Sequence, residues 1–564
     1  MDGHIERAKS PTFIGLVMTI LDYFLKNERE IPDKTFLSQP EGSSWKNYSW
    51  RDCGIKAREL LFALKGSGFK KGDRISILSA NCAEWIISDL ALMMGGYVSV
   101  PLYANTDPST MVKILKDSGS RLILVGKLNA KDWSSQREAI PGGIKVVSMD
   151  GYHKKGTIPY SEFCSGQAAE VESITTDSVM TIIYTSGTTG DPKGVVHTFG
   201  SIIKAVEVAS EEVGLNRPGN KFISYLPLSH AEERGLIECG CIYCGGHIAF
   251  VESLVSFSKN IQEFQPTHFF GVPRIWEKFQ SKILEKVSQR KLNTFLKLPI
   301  LRDFIQKKIK TSLGLLNADI ILSGAAPLAP DIIKWFANLD IQIREAYGMS
   351  ENFNVISMNP KTEIKVGSVG KLFPGQEVVI DPETKEIKQK CDWLMKGYFN
   401  NPKLTEETIS NGFLNTGDMG ELSDDGYLTI TGRVKDIFKT TKGEYISPAV
   451  LEIPFTEMKI VEQACVMGTL YPQPFVLVSL SELADRISKK KIANELKSVL
   501  DKLNHGVMEY QRVKKVIISR DQWTVENRLL TPTLKMKRSL LSDKYENALK
   551  EVYQNNELVS WEVS

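Results

Sequence analysis

Cysteine is scarce, no apolar run is long enough for a membrane span, and the net charge is close to zero. Eight cysteines in 564 residues are too few for a disulfide framework and suit a reducing cytoplasm. No apolar run reaches the ~18–20 residues that cross a bilayer. Phe13–Leu21 is apolar but short and stops at Asp22. It also lacks the basic lead-in and small-residue cleavage site of a secretory leader. A net charge of +3 excludes a chain-wide nucleic-acid footprint. Internal repeats and low-complexity tracts are missing too.

What is present is a balanced chain, 42% hydrophobic and 24% charged, too long for one core at ~100–200 residues per domain. Strand-like runs such as Arg74–Ser79, Arg121–Gly126 and Ala318–Gly324 alternate with helical patterns. That alternation predicts parallel sheets flanked by helices. From about Val366 the texture changes to short strands and tight turns, and Asp424-Asp425-Gly426 before Tyr427–Gly432 reads as a hairpin. Past Arg433 the chain has its own strands and an amphipathic helix near Ser488–Leu503, enough for a separate domain. Cys239, Cys241, Cys244 and His247 have a spacing that zinc could use. They sit in the apolar stretch Leu236–Phe250 beside Gly245-Gly246, where small-residue packing is the preferred reading.

The densest chemistry follows the apolar, β-branched run Val179–Ile183. Tyr184-Thr185-Ser186-Gly187-Thr188-Thr189-Gly190-Asp191-Pro192-Lys193-Gly194 collects hydroxyls, glycines and one lysine. Glycines let backbone N–H groups approach an anion, and the hydroxyls and ammonium add donors, which suits a polyphosphate. The Walker A spacing of glycines and Lys-Ser/Thr is not met. Ser323-Gly324-Ala325-Ala326-Pro327-Leu328 is a small-residue turn with room for a flat ring. Glu345-Ala346-Tyr347-Gly348-Met349-Ser350-Glu351 offers an aromatic to stack on a purine and a carboxylate for Mg²⁺.

In that order, these segments resemble the signatures of the adenylate-forming enzymes, a superfamily that includes acyl-CoA synthetases. Asn415-Thr416-Gly417-Asp418 resembles the element whose aspartate holds the ribose hydroxyls. Gly432–Asp436 resembles the end of the large domain, with Arg433 toward the ribose and Lys435 at the hinge position. Leu530–Arg538 resembles the catalytic-lysine element, which points to Lys535 over Lys537. Leu534 stands where most members have glycine, and Ser350 where threonine is usual. Tyr225–Arg234 and Phe270–Trp276 resemble segments of the long-chain acyl-CoA synthetase branch. His197 departs from the usual Thr-His order after the phosphate loop and receives no site role.

The resemblance implies an α/β fold: a large domain, 1–432, with parallel sheets flanked by helices plus a small distorted β-barrel. A hinge at 433–436 and a smaller mobile α+β domain, 437–564, complete it. It implies ATP, Mg²⁺ and CoA as cofactor and co-substrates, and a fatty acid as substrate. Lys535, Glu351, Lys193 and His230 would be catalytic. Thr185, Ser186, Gly187, Thr188, Thr189, Gly190, Lys193, Gly324, Ala325, Ala326, Glu345 through Ser350, Asp418, Arg433 and Lys535 would bind ATP. Glu351 and Thr185 would hold the metal, and His230, Phe270, Gly271 and Val272 would line the acyl pocket. A carrier-protein acyl-AMP ligase and a non-catalytic acyl or nucleotide sensor are the alternatives. Lys193, Glu351 and Lys535 are all present, which disfavours the sensor.

One feature reads without the family. Lys282–Lys310 carries nine basic residues against Glu285 and Asp303, interleaved with Phe295, Leu298, Ile300, Leu301, Phe304 and Ile305. A solvated helical face and a peripheral membrane contact both fit that pattern.

Overall fold

The computed structural model describes residues 18–562 except 187–190, 254, 470, 525–526, 532–535 and 556. Two mixed sheets carry the larger part of the chain. The first has seven strands, in the order Gly397–Tyr398, Pro192–Thr198, Val179–Ser186, Val98–Leu102, Arg74–Leu78, Leu122–Val125 and Lys145–Ser148. Its last five run parallel, and the first three pair antiparallel. The parallel strands are continuous apolar runs, Leu122–Val125 being buried throughout, as expected for a sheet covered on both faces.

The second sheet has nine strands. Its centre is the parallel set Arg344–Tyr347, Ile320–Ser323, His268–Phe270, Lys221–Ser224, His247–Phe250 and Thr35–Glu41. Antiparallel strands close both edges. Helix Ala83–Gly95 is buried along its whole length, because it lies in the principal apolar cluster with helices Trp50–Gly66 and Phe199–Ala209. Its polar residues Glu84, Ser88 and Asp89 are buried with the rest, and a helix buried on every side belongs between layers and not on the surface.

A third, wholly antiparallel sheet is built from Gln376–Ile380, Glu386–Cys391, Phe413–Leu422, Ile409–Ser410 and Leu428–Arg433. It contains the expected hairpin, turned at Gly426 with φ +82°. Beyond it, Val461–Met467, Phe475–Leu480, Val516–Ile518 and Val559–Trp561 form a four-stranded sheet. Helices Pro448–Thr456 and Lys489–Gly506 pack on one of its faces, and Arg538–Gln554 packs on the other. The amphipathic helix expected near Ser488–Leu503 is Lys489–Gly506, buried through Ile492, Leu496, Leu500 and Leu503. Its four-residue spacing is one helical face. Among the described residues no helix is long and apolar enough to cross a membrane.

Candidate active site

Four neighbouring parallel strands of the nine-stranded sheet end at the motifs. Lys221–Ser224 runs into Tyr225–Arg234, and His268–Phe270 into Gly271-Val272. Ile320–Ser323 runs into Gly324–Leu328, and Arg344–Tyr347 into Gly348–Glu351. Ligands of open α/β sheets bind outside the carboxyl ends of the strands. Distant segments of sequence therefore meet there as neighbouring loops.

These loops leave little slack. A Cβ on Gly324 would lie 3.1 Å from the Ala346 carbonyl oxygen and 3.2 Å from the Phe270 ring. A Cβ on Gly348 would fall 2.2 Å from the backbone of Asn354, so only glycine fits. Ala325 holds φ +67°, a left-handed conformation that costs a β-carbon-bearing residue on the order of 1 kcal/mol. Such strain persists where the surroundings over-determine a loop. Ala326 follows it, and Met349 donates its N–H to Asn352 Oδ1 at 2.9 Å, which fixes the next turn.

The phosphate-loop hairpin comes from the seven-stranded sheet. Thr185 and Lys193 are register partners on Val179–Ser186 and Pro192–Thr198, so the loop caps a β-hairpin. Gly187, Thr188, Thr189 and Gly190 lie outside the described residues, as does Lys535; Ser186 is described as the last strand residue. The Lys193 ammonium sits 5.8 Å from the centre of the Tyr398 ring. Burial lowers its pKa, the positive charge of Lys435 lowers it further, and Glu351 pulls the other way. The Tyr398 hydroxyl donates to Glu351 Oε1 at 2.6 Å. Tyr398 thus links Lys193 and Glu351, and the charge of Lys435, 84 residues beyond Glu351 in sequence, is felt at Lys193.

His197 ties this cluster to the second sheet. It is fully buried, and its Nε2 reaches the Ser350 carbonyl at 2.7 Å. A carbonyl only accepts, so Nε2 carries the proton. Burial lowers the ring pKa to about 4, which keeps it neutral. The Phe353 ring closes on it edge-on at 5.1 Å. His197 and Tyr398 are the residues that the sequence reading passed over. Tyr398 carries no sequence signal; the structure brings it in because Gly397–Tyr398 pairs with Val195-Val196, two residues after Lys193.

The third sheet supplies a carboxylate between two donors. Tyr347 O–H donates to Asp418 Oδ2 at 2.8 Å, and Arg433 Nε stands 2.8 Å from Oδ1. Asp418 is 6% exposed. Thr416 Oγ1 accepts its backbone N–H at 3.1 Å. The negative charge of Asp418 is the main reason the Arg433 pKa is raised. Each carboxylate oxygen keeps a second acceptor site, so Asp418 has the capacity to accept further hydroxyl hydrogen bonds.

His230 follows Leu228-Ser229. Its Nδ1 accepts the Glu232 N–H at 3.2 Å, so the neutral ring presents its proton at Nε2. The adjacent Glu232 carboxyl is pushed up to about 7 by burial, a second titratable group that the sequence did not announce. Arg234 is structural: fully buried, it pairs with Asp89 and with Glu238 at 3.3 Å. Among the described residues no three His, Cys, Asp or Glu side chains could hold a metal. Cys239 and Cys241 are core residues, and His247 Nε2 is 2.7 Å from Ser38 Oγ.

Glu345 behaves as a buried acid that holds the neighbouring loop. Its Oε1 accepts the Leu328 N–H at 3.4 Å. Burial raises its pKa to about 7. A raised folded-state pKa means that the native protein keeps a proton which the unfolded chain loses near the ordinary glutamate value of 4.5. Its contribution to stability is therefore present at low pH and is lost as pH rises toward 7. Glu345→Gln removes that titration. Relative to wild type, its unfolding free energy should gain roughly 3 kcal/mol between pH 4.5 and 8. Urea unfolding at the two pH values measures this, and a pH-independent difference would count against a buried neutral acid.

Residues 24–399 match the family described as AMP-binding enzyme, and residues 435–557 match the AMP-binding enzyme C-terminal domain. Fatty acyl-CoA synthetase A of Dictyostelium discoideum is 28% identical, with 96% of this chain and 91% of that protein covered. Long-chain-fatty-acid–CoA ligase ACSBG2 of Mus musculus is 27% identical, with 95% of this chain and 93% of that protein covered. The fold is shared with o-succinylbenzoate CoA synthetase of Bacillus subtilis, solved with an acyl-adenylate intermediate. There the TM-score is 0.72 at 22% identity, over 92% of this chain and 98% of that one.

Proposed function

The chain belongs to the AMP-binding enzymes, the adenylate-forming ligases, and on that premise we propose that it is a long-chain fatty acid–CoA ligase. The observation that carries the reading is the convergence of three sheets on one site. It joins a cation cluster at Lys193, a carboxylate at Glu351 and an acceptor at Asp418. Asp418 lies 2.8 Å from both the Tyr347 hydroxyl and Arg433 Nε. Polyphosphate, metal and ribose each have a complementary group. The relatives named above, matched over nearly their whole length, supply the fatty-acid and CoA part of the proposal.

In the first step the fatty carboxylate attacks the α-phosphorus of ATP, and pyrophosphate leaves with the electrons of the bridging bond. Lys193 and the loop hydroxyls, Thr185 and Ser186 among them, hold the β- and γ-phosphates. Asp418 and Arg433 fix the ribose. Gly324, Ala325 and Ala346 provide a flat seat for the adenine, with Tyr347 beside it. His230 Nε2–H orients the carboxylate beside Phe270, Gly271 and Val272. Lys535 meets charge developing at the α-phosphate. Glu351 and Thr185 are hard oxygen donors that fit Mg²⁺, which when bound neutralises phosphate charge. In the second step the small domain turns about Lys435, and the CoA thiolate attacks the acyl carbon and expels AMP. The protein contributes chiefly by clamping two anions in line and matching their charge.

An acid panel from acetate to oleate, scored for pyrophosphate release with and without CoA, tests the reading. Turnover should rise with chain length and require CoA for acyl release. Pyrophosphate release that ignores CoA, with acyl transfer to a carrier protein, would replace it with the carrier-ligase alternative.

A further inference from the structure

Helices Gln289–Leu296 and Pro299–Leu313 form a hairpin on the flank of the large domain. Its inner side is well seated. Leu292, Ile309 and Leu313 join the apolar cluster of Trp276, Phe279 and Phe336. Trp335 Nε1 donates to Gln289 Oε1 at 2.8 Å, and Gln306 Nε2 donates to the Asn338 carbonyl at 3.0 Å. The tip is the opposite: every residue from Lys297 to Phe304 is exposed. Ile300 is 87% exposed, Phe304 61% and Leu298 52%, with Leu301 close behind. Elsewhere among the described residues, large exposed apolar side chains occur singly or in loose pairs. Four within seven residues is an unusual concentration for solvent to bear.

The charge around this tip is one-sided. Lys286, Arg290, Lys291, Lys297, Arg302, Lys307 and Lys308 are exposed, and Asp303 is the one acid between 286 and 308. That surplus exceeds the +3 of the entire chain. Among the described residues, the ion pair recorded in this stretch is Arg302–Asp303 at 3.2 Å.

We propose that the tip of this helix hairpin docks on an anionic lipid surface, with Ile300 and Phe304 entering the headgroup boundary and the surrounding lysines and arginines facing acidic headgroups. Charge complementarity selects this occupant. A second copy of the chain would bring seven like charges against seven in a two-fold contact, which repels. A lipid leaflet offers both the negative charge and the apolar depth that the tip needs. The inference rests on exposure and charge alone and stands apart from the acid that the active site takes.

The experiment is co-sedimentation of the full-length protein with vesicles of pure phosphatidylcholine or with about 30% phosphatidylserine, at about 0.05 and 0.5 M salt. Two double variants accompany it, Ile300→Glu with Phe304→Glu, and Lys307→Glu with Lys308→Glu. Wild type should bind the phosphatidylserine vesicles at low salt. Either variant, pure phosphatidylcholine or high salt should each weaken binding about tenfold or more. Thermal unfolding should be unchanged in both variants, because the four side chains are exposed. Three outcomes overturn the proposal. One is binding equal among wild type and variants, and another is no binding to either vesicle. The third is a wild-type dimer dissociated by the Ile300 and Phe304 changes without loss of lipid binding.

Discussion

Lys535→Ala should lose roughly two to four orders of magnitude in acyl-adenylate formation, the scale of a removed oxyanion donor. Supplied with premade acyl-AMP, the same variant should form acyl-CoA at a rate comparable to wild type. Lys535 lies outside the described residues, but both sides of its segment are fixed. Leu530 and Met536 form an antiparallel bridge, and the Lys537 N–H bonds the Leu529 carbonyl at 2.9 Å. The next residue, Arg538, is clamped by Glu452 at 2.5 and 2.6 Å, and its Nε meets Asp436 at 3.1 Å. The described residues on either side of that segment thus close a stem whose base is tied to the residue after Lys435. In the proposed two-step mechanism, a charge on this stem would face the phosphates in the first step and be withdrawn as the small domain turns. Measuring pyrophosphate release and thioester formation separately checks this. Equal loss in both steps would remove Lys535 from the chemistry, and a silent Lys535→Ala with an inactive Lys537→Ala would move the role by two residues.

Asp418→Ala should lower kcat/KM for ATP by two orders of magnitude or more, mostly through KM. The carboxylate is buried and engages Tyr347 and Arg433 on its two oxygens. Charged hydrogen bonds contribute about 1.5–3 kcal/mol each, and both the proposed ribose contact and the alignment of two neighbours would disappear. Asp418→Asn keeps one acceptor and should fall between. A comparison with 2′-deoxy-ATP isolates the ribose. If Asp418 accepts from the diol, wild type should discriminate against the deoxy nucleotide and Asp418→Ala should not. Undiminished discrimination in the variant would place the acceptor elsewhere.

Much of this architecture could be read before the structure because its signals are local. Continuous apolar runs such as Leu122–Val125 announce buried parallel strands, and Asp424-Asp425-Gly426 announces its hairpin. The four-residue spacing of Ile492, Leu496 and Leu500 announces its helix. The antiparallel strands at the sheet edges were not foreseen, because alternation of strands and helices reports crossovers but says nothing of short returning edges. The motif loops were recognisable by their resemblance, in order, to the family's signatures. Their supports were not. His197 holds Ser350 across 153 residues, and Tyr398 reaches Glu351 across 47. A buried histidine and a strand tyrosine look like ordinary core until their partners are known. Glu345, grouped with the nucleotide residues by its motif, is also a buried acid that accepts the Leu328 N–H, a support no motif announces.

Arg274 Nη2 and Glu462 Oε1, 2.7 Å apart, bridge helix Pro273–Lys286 and the C-terminal sheet, and their side chains are 44% and 31% exposed. A pair so open to water contributes at most ~1 kcal/mol, which tilts a population by no more than about five-fold. It acts as a detent, a shallow notch that marks one orientation without locking it. In the proposed two-step mechanism, such a contact is strong enough to align the small domain in one orientation and weak enough to be left on thermal energy alone.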